Sequence, residues 1–467
     1  QWCSHEWVVM HIIIGAEFDR YWQGLAQKKD DQALIAVVQG IITAVRREGD
    51  PAVRRFARQF DRGSPEILEV SPEIVQAAGE RLRQTEPELT AALETAADHI
   101  RRFAQQQKAQ MRDFEYALSP GLFTGQRVIP VQRAAVYVPA GRFPLISSVL
   151  MGVIPAVVAG VEEIILSSPP LAAGLPDTRI LAAAHIAGAV RVFAMGGAQA
   201  IAALALGTQT VPRADIIVGP GNQYVAAAKR LLFGEVGIDL VAGPTDVLII
   251  AEDPGAEAAD LIAADMLAQA EHDPDARART LVPSRTLADQ VLQRLETRLP
   301  GLPTASTAKA SLDAGGLIII YQSPAEAIRI ANAIAPEHLE LHVADPEGWI
   351  PGLRNYGSLF IGKHAVEALG DYIAGINHTL PTSGSARFTG GLSVRHFLKT
   401  LTSLRCDPGP GYNQACRAAE QIALAEGLMA HGESVRCRIQ PESELRRGIH
   451  LSPIPPNQPD KGGGTQV

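Results

Sequence analysis

The sequence predicts an α/β fold in which two successive layered units are flanked by smaller helical elements at both ends. Three observations lead there. From about residue 130, short β-branched runs alternate with Ala-rich helical stretches, the pattern of parallel sheets covered by helices. A second series of such runs extends to about residue 363. The chain, at 467 residues, exceeds one domain and fits two or three of roughly 150 residues each.

The elements follow in chain order. Residues 1–129 form an α-rich segment: "DDQALIAVVQGIITAVRREGDPAVRRFARQFDR" spaces its apolar residues at helical intervals, with Arg, Glu and Gln on the opposite faces. Residues 130–245 make the first α/β unit, in which "AAVYVP", "EIILSS", "VRVFAM" and "DIIVG" alternate with helices such as "AQAIAALALG" and "NQYVAAAKRLLFG". The apolar stretch "VLMGVIPAVVAGV" is interrupted by Pro155 and followed by Glu162 and Glu163, so it is a buried helix feeding "EIILSS". Residues 246–395 make the second unit, on "DVLIIAE", "ARTLVPS", "LIIIYQS", "LELHVA" and "GSLFIG". In 396–450 the turn-rich "CDPGPGYNQ" leads into the helical "ACRAAEQIALAEGLMAHGESV". Residues 451–467, rich in Pro and Gly with little to bury, are expected to be disordered.

Composition narrows the function classes. Hydrophobic residues at 46%, charged residues at 20% and a net charge of -8 describe a globular cytoplasmic protein without the basic footprint of a nucleic-acid binder. The run "WVVMHIII" is too short to span a bilayer and lacks the basic start and small-residue cleavage site of a secretory signal. The four cysteines form no C-x-x-C pair, so free thiols are expected rather than a disulfide framework.

Two glycine loops share one design. "MGGAQAIAALALG" and "VGPGNQYVAAAKR" each join a strand to a helix through a glycine turn, with Gln199 and Asn222 near the helix starts. Free N–H groups at a helix start favour a phosphate or another anion. Neither loop is the G-x-G-x-x-G fingerprint, and Gly196, Gly197, Gly219 and Gly221 could simply permit tight turns. "VYVPAGRFPLISS" brings Tyr137 into a third loop, where its ring could stack on a nucleotide.

A scattered set of polar residues carries the chemistry. "LAQAEHDPDA" ends a helix with Gln269 and His272 three apart, neighbours on one face. "AIAPEHLEL" places Glu337 beside His338; a carboxylate and an imidazole suit the transfer of two different protons, although a surface Glu beside a partly buried His has the same pattern. "EALGDYIAGINHTLPTSG" offers Asp371 and His378 in a Gly-rich segment. "AEGLMAH" puts Glu426 and His431 about 140° apart on a regular helix, so they share a ligand only near a helix end. His272, His431, Asp371 and Gln269 would supply two nitrogens and two oxygens, a set that suits Zn²⁺ or a similar ion. No H-E-x-x-H ties the four together.

Six motifs in order, "GGAQAIAALALGT", "VGPGNQYVAAAKR", "MLAQAEH", "APEHLEL", "GDYIAGINHTLPT" and "EGLMAH", spread over roughly residues 35 to 440, resemble the histidinol dehydrogenase family. The resemblance implies two incomplete Rossmann-like, aldehyde-dehydrogenase-like α/β domains, the first binding NAD and the second holding zinc and substrate. It implies two NAD⁺-dependent oxidations of L-histidinol to L-histidine through L-histidinal, the last steps of histidine biosynthesis. Gln269, His272, Asp371 and His431 are implied to bind one zinc per subunit, with His431 coming from the partner of a homodimer. His338 is implied to remove the hydroxyl proton, Glu337 to activate water, and Tyr137, Gln199 and Asn222 to contact the nucleotide. Thr245, Gln269, His272, His338, Asp371, His378, Glu426 and His431 are implied to surround the substrate.

Some residues depart from that pattern. Thr245 in "GPTD" stands where the family has a serine, and Asp273 follows His272 where glycine is common. "GRFPLISS", "YGSLFIG" and "RFTGGLSVRHFLKTLT" are similar to a paralogous branch that includes sulfopropanediol dehydrogenase. A substrate such as 2,3-dihydroxypropane-1-sulfonate is therefore the alternative, with Arg142 as a candidate partner for its sulfonate. A non-catalytic binding homologue is disfavoured by the retained polar residues, and a zinc hydrolase would leave the glycine loops without a purpose.

Overall fold

A computed structural model describes residues 10–25, 31–140, 144–188, 191–252 and 256–441. The expected disordered tail and Arg142 lie outside the described residues. The strands, in chain order, are β1 (His11–Ile14), β2 (Glu69–Val70), β3 (Phe114–Ser119), β4 (Leu122–Pro130), β5 (Arg133–Tyr137), β6 (Glu163–Ser168), β7 (Arg191–Ala194), β8 (Ile216–Val218), β9 (Gly237–Ile238), β10 (Asp246–Ala251), β11 (Arg277–Val282), β12 (Leu317–Ile320), β13 (His338–His342), β14 (Ser358–Ile361) and β15 (Leu398–Cys406). Among the described residues they build two six-stranded sheets and a three-stranded one.

The first sheet runs β2-β7-β6-β5-β8-β9 and the second β1-β12-β11-β10-β13-β14. Counted from β5 in one and β10 in the other, five consecutive strands take the order 3-2-1-4-5, all parallel. The order reverses between β5 and β8, and again between β10 and β13. At such a reversal the flanking connections leave in opposite directions, opening a crevice at the carboxyl ends of the strands. The expected α/β class with two layered units is what the chain forms.

Alternation along the strands separates the cores. Ala134 and Val136 pack on one face of the first sheet, Ala135 and Tyr137 on the other. In the second sheet Val247 and Ile249 face one core and Leu248 and Ile250 the other. The strands read as continuous apolar runs because helices cover both faces. The helix Ile146–Ala159 accommodates Pro155 in its fully buried interior and ends at Gly160, whose φ of 94° suits glycine.

The amino-terminal residues are divided rather than gathered into one body. β1 extends the second sheet parallel to β12, while β2 pairs antiparallel with β7 in the first. Residues 111–129 fall in a separate compact unit with 399–467; the first unit comprises 1–110 and 130–398. Among its described residues, the second unit holds the sheet β15-β4-β3 and the helices Pro410–Ala425 and Met429–Arg436. The expected helical element from 396 therefore begins as a strand. "LKTLTSLRC" is rich in Thr and Leu, and an edge strand of this kind is stabilised by a partner hairpin that lies hundreds of residues earlier. Cys406, Cys416 and Cys437 are free thiols. Among the described residues no helix is long and apolar enough to cross a membrane.

Candidate active site

At the carboxyl ends of β5 and β8 lies a cavity of ≈ 520 Å³ lined by Tyr137, Gln199 and Asn222, together with Asp61, Pro139 and Gly197. It brings together the three residues expected to contact a nucleotide. Tyr137 is buried, and its hydroxyl accepts from the Gly197 N–H at 3.1 Å, which ties the ring to the glycine loop. Asn222 caps the helix Gln223–Leu232, its Oδ1 accepting from Tyr224 and Val225 N–H groups at 3.0 and 3.2 Å. Gln199 reaches Asp61 Oδ2 at 3.4 Å. Asp61 comes from the end of the helix Asp50–Phe60 and is a residue that sequence reading missed.

The glycine loop is built for close approach. Gly219 has φ +113, and a Cβ there would lie 2.1 Å from the Tyr137 carbonyl oxygen. Its N–H donates to Asp239 Oδ2 at 2.7 Å, and its carbonyl accepts from Lys229 Nζ at 3.1 Å, while Lys229 and Asp239 form a buried ion pair. Gly219→Ala should therefore cost about 1–3 kcal/mol through strain and backbone displacement, read as a lower midpoint in denaturant unfolding.

Burial lifts the Asp61 carboxyl from its ordinary 3.8 to about 6, against the Gly196 and Gln199 hydrogen bonds that favour the anion. A carboxyl whose folded pKa is raised gives its full stabilising contribution below the unfolded value and loses it as pH rises through the folded one. Asp61→Asn should thus be neutral near pH ~4 and stabilising by up to about 3 kcal/mol near pH ~7.5. Urea unfolding of both proteins at the two pH values measures the difference.

A second site forms at the opposite, amino-terminal ends of β10 and β13. Its parts come from three periodicities. On β13, residues 338, 340 and 342 share one side of the strand, so "HLELH" sends His338, Glu340 and His342 one way and Leu339 and Leu341 into the apolar core. On the helix Ala256–Ala270, Asp265 and Gln269 are four apart, and His272 follows in the turn beyond it. The short helix Glu367–Tyr372 offers Glu367 and Asp371, again four apart.

These side chains converge. Glu337 Oε2 accepts from Thr245 Oγ1 at 2.5 Å and from the Asp246 N–H at 3.1 Å. Asp246 Oδ1 accepts in turn from the Glu337 N–H at 3.0 Å, and Asp246 is tied to Arg279 at 3.3 Å. Burial drives the Glu337 carboxyl well above the usual range, more strongly than the Thr245 hydrogen bond lowers it. His338 is buried, with Nδ1 3.3 Å from the Asp246 carbonyl and 3.5 Å from Glu367 Oε1. A carbonyl only accepts, so Nδ1 carries the proton and Nε2 is left with its lone pair. Nε2 has no hydrogen-bond partner and lies 3.8 Å from Asp371 Oδ1. Burial lowers His338 to about 3, keeping it neutral.

His272, Glu367 and Asp371 bring one ligand atom each within 4.8 Å of one another, and two of the three were expected. Burial raises Asp371 to about 7, and burial with the charge of Asp371 raises Glu367 far above the usual range. Gln269, fully buried, lies 2.9 Å from both Glu367 oxygens and from Thr245 Oγ1. With its nitrogen toward Glu367 it donates to both oxygens. Turned over, it donates to Thr245 and offers its carbonyl oxygen to the cluster. His378 completes the wall: Nδ1 lies 3.1 Å from the Asp371 carbonyl, and Nε2 lies 3.1 Å from Ser148 Oγ. Glu367 and Asp246 were not foreseen, although an acid four residues before Asp371 and an acid opening an apolar strand are visible signals.

Glu426 and His431 belong to the second unit, where both line a cavity of ≈ 610 Å³. They do not share a regular helix. One helix ends at Ala425 with Glu426 as its cap, Gly427 turns the chain at φ 77°, and the next starts at Met429. The glycine thus lets residues five apart approach one cavity.

A cavity at one sheet reversal, and a buried imidazole with carboxylates assembled on a second α/β layer, define an α/β enzyme equipped for proton transfer. A family model described as histidinol dehydrogenase matches residues 25–439. A histidinol dehydrogenase of Thermus thermophilus is 47% identical over 408 residues, covering 87% of this chain and 95% of its own. One from Pseudomonas aeruginosa is 43% identical over 426 residues, covering 91% and 94%. The crystal structure of histidinol dehydrogenase from Elizabethkingia anophelis superposes with a TM-score of 0.85 at 33% identity, covering 94% of this chain and 99% of that one. The chain belongs to the histidinol dehydrogenase family, and the enzyme is an oxidoreductase of that kind.

Proposed function

We propose that the protein oxidises L-histidinol to L-histidine in two NAD⁺-dependent steps at a zinc-containing site completed by a second copy of the chain. The observation that carries this reading is the convergence of Gln269, His272 and Asp371 on the Glu337–His338 pair within one unit.

The residues fit the groups. An imidazole, carboxylates and a Gln269 oxygen that can turn toward them suit a borderline divalent ion. Gln269, His272 and Asp371 would hold zinc, with His431 supplied by the second copy. Thr245, whose Oγ1 accepts from the Gln269 amide at 2.9 Å in that orientation, would orient that ligand. Tyr137, Gln199 and Asn222 line a cavity suited to NAD⁺. When bound, zinc would hold the amino alcohol in place and NAD⁺ would supply the hydride acceptor.

The chain's own groups move the protons. His338 Nε2 accepts the hydroxyl proton, its ring held by the Asp246 carbonyl. Glu337, fixed by Thr245 and the Asp246 N–H, activates the water that converts the aldehyde for the second oxidation. Thr245 keeps the hydroxyl that this arrangement uses. His378 and, from the second copy, Glu426 would flank the substrate's imidazole and amino ends. The exposure of Ile422, Leu428 and Met429 around Glu426 and His431 supports a site shared between copies.

The substrate is tested by NADH formation from L-histidinol beside 2,3-dihydroxypropane-1-sulfonate, before and after chelation. Chelator-sensitive turnover of histidinol supports the proposal; turnover of the sulfonate alone refutes it. His431→Ala should lose most of the bound metal, by elemental analysis of the purified protein.

A further inference from the structure

The second sheet has a reversal point of its own, and the catalytic residues do not occupy it. They sit at the amino-terminal ends of β10 and β13, whereas a crevice in such a sheet opens at the carboxyl ends. There, after Ala251 and beside His342, lies a cavity of ≈ 520 Å³ lined by Glu252, Glu257, His342, Lys363 and His364. Lys363 is held by Glu257 at 3.1 Å.

At this end of the sheet lies a second cluster. Asp265, Glu340 and His342 each bring a ligand atom within 4.8 Å of the others. Glu340 is fully buried, and its Oε2 has no hydrogen-bond partner. The other oxygen, Oε1, accepts from the Glu367 N–H at 2.9 Å, which fixes the carboxylate so that Oε2 points away from Glu367. His342 Nε2 stands 3.4 Å from that Oε2. Ligands held about 2.0–2.2 Å from one ion lie roughly 3–3.5 Å apart, so this pair already has the spacing. Arg298, the cation whose charge reaches Asp265, is engaged by Asp260 at 2.7 Å.

An orphaned, fully buried carboxylate oxygen is expensive, because its desolvation is not repaid by a partner. Two carboxylates in contact must share a proton or a cation. A divalent ion neutralises both acids at once and takes the imidazole as a third ligand.

We propose that Asp265, Glu340 and His342 hold a second divalent cation of the Zn²⁺ or Mn²⁺ class, distinct from the site at His272 and Asp371. The ligand set of two carboxylates and one imidazole is oxygen-rich, and the cavity beside His342 gives the ion its path from solvent. The cation has a structural consequence. It ties the helix Ala256–Ala270, which carries Gln269 in its last turn, to β13, which begins at His338. Asp265 lies one turn before Gln269, and Glu340 two residues after His338, so Asp265, Glu340 and His342 are positioning residues for those groups.

The test counts metal. The full-length protein is stripped with chelator, loaded separately with Zn²⁺ and with Mn²⁺, desalted, and assayed for bound metal per chain and for melting temperature. Wild type should retain two ions per chain with at least one of the metals. Glu340→Gln should retain one and lose part of the metal-induced rise in melting temperature, and His342→Gln, at the cavity edge, should do the same if the buried variant folds poorly. His272→Ala should lose the other ion and keep this one, so failure of the first site is separable from failure of the second. One ion per wild-type chain with both metals, or a count that Glu340→Gln and His342→Gln leave unchanged, would overturn the proposal and leave Asp265 and Glu340 sharing a proton.

Discussion

Replacing His338 with alanine should lower kcat for histidinol oxidation by about 10²- to 10⁴-fold, the range that a positioned base contributes. The loss follows from geometry. His338 is a buried imidazole whose Nδ1 is committed to the Asp246 carbonyl and whose Nε2 is unpartnered. No neighbour can replace it: Glu337 is turned onto Thr245 and Asp246, and Asp371 presents its carboxylate 3.8 Å from the nitrogen that alanine removes. Bound zinc and the affinity for NAD⁺ should change little, since the ring is neither a proposed ligand nor part of the glycine-loop cavity. Steady-state kinetics with metal analysis on the same preparation checks both. A variant that keeps more than about a tenth of the activity would remove His338 from the proton-transfer role.

Glu337→Gln should separate the two oxidations. The amide keeps the shape and can still bond to Thr245, so the alcohol step should survive with a modest loss. Water activation needs the carboxylate, so the aldehyde step should fall by a further factor of about 10² or more. The readout is NADH per molecule of L-histidinol consumed, moving from two toward one as the aldehyde accumulates, together with direct assay on L-histidinal. Equal loss in both steps would assign Glu337 a structural part shared by the whole site.

Local pattern made much of this legible. The alternation of β-branched runs with Ala-rich helices foretold the two parallel layers, and the glycine loops foretold strand-to-helix turns at a cavity, which Tyr137, Gln199 and Asn222 do line. The spacing of Gln269 and His272 at a helix end singled them out without deciding between a metal ligand pair and no role at all. What escaped depends on distance along the chain. β1 is four residues of "HIII" that gain their place only by pairing with β12, three hundred residues later. Asp61 reaches the first cavity from the amino-terminal helices, and Glu340 becomes informative only when Asp265 faces it. The helix break at Gly427 was visible as a glycine but not as the reason that Glu426 and His431 can line one cavity.

The most direct test of the central claim is the yield of NADH from a limiting amount of L-histidinol, taken to completion with zinc-loaded enzyme and repeated after chelation and after zinc is restored. The account predicts two NADH per histidinol with histidine as the product, almost none from the stripped enzyme, and recovery on adding zinc. One NADH per histidinol with histidinal as the end product, or a full yield from the stripped enzyme, would contradict it.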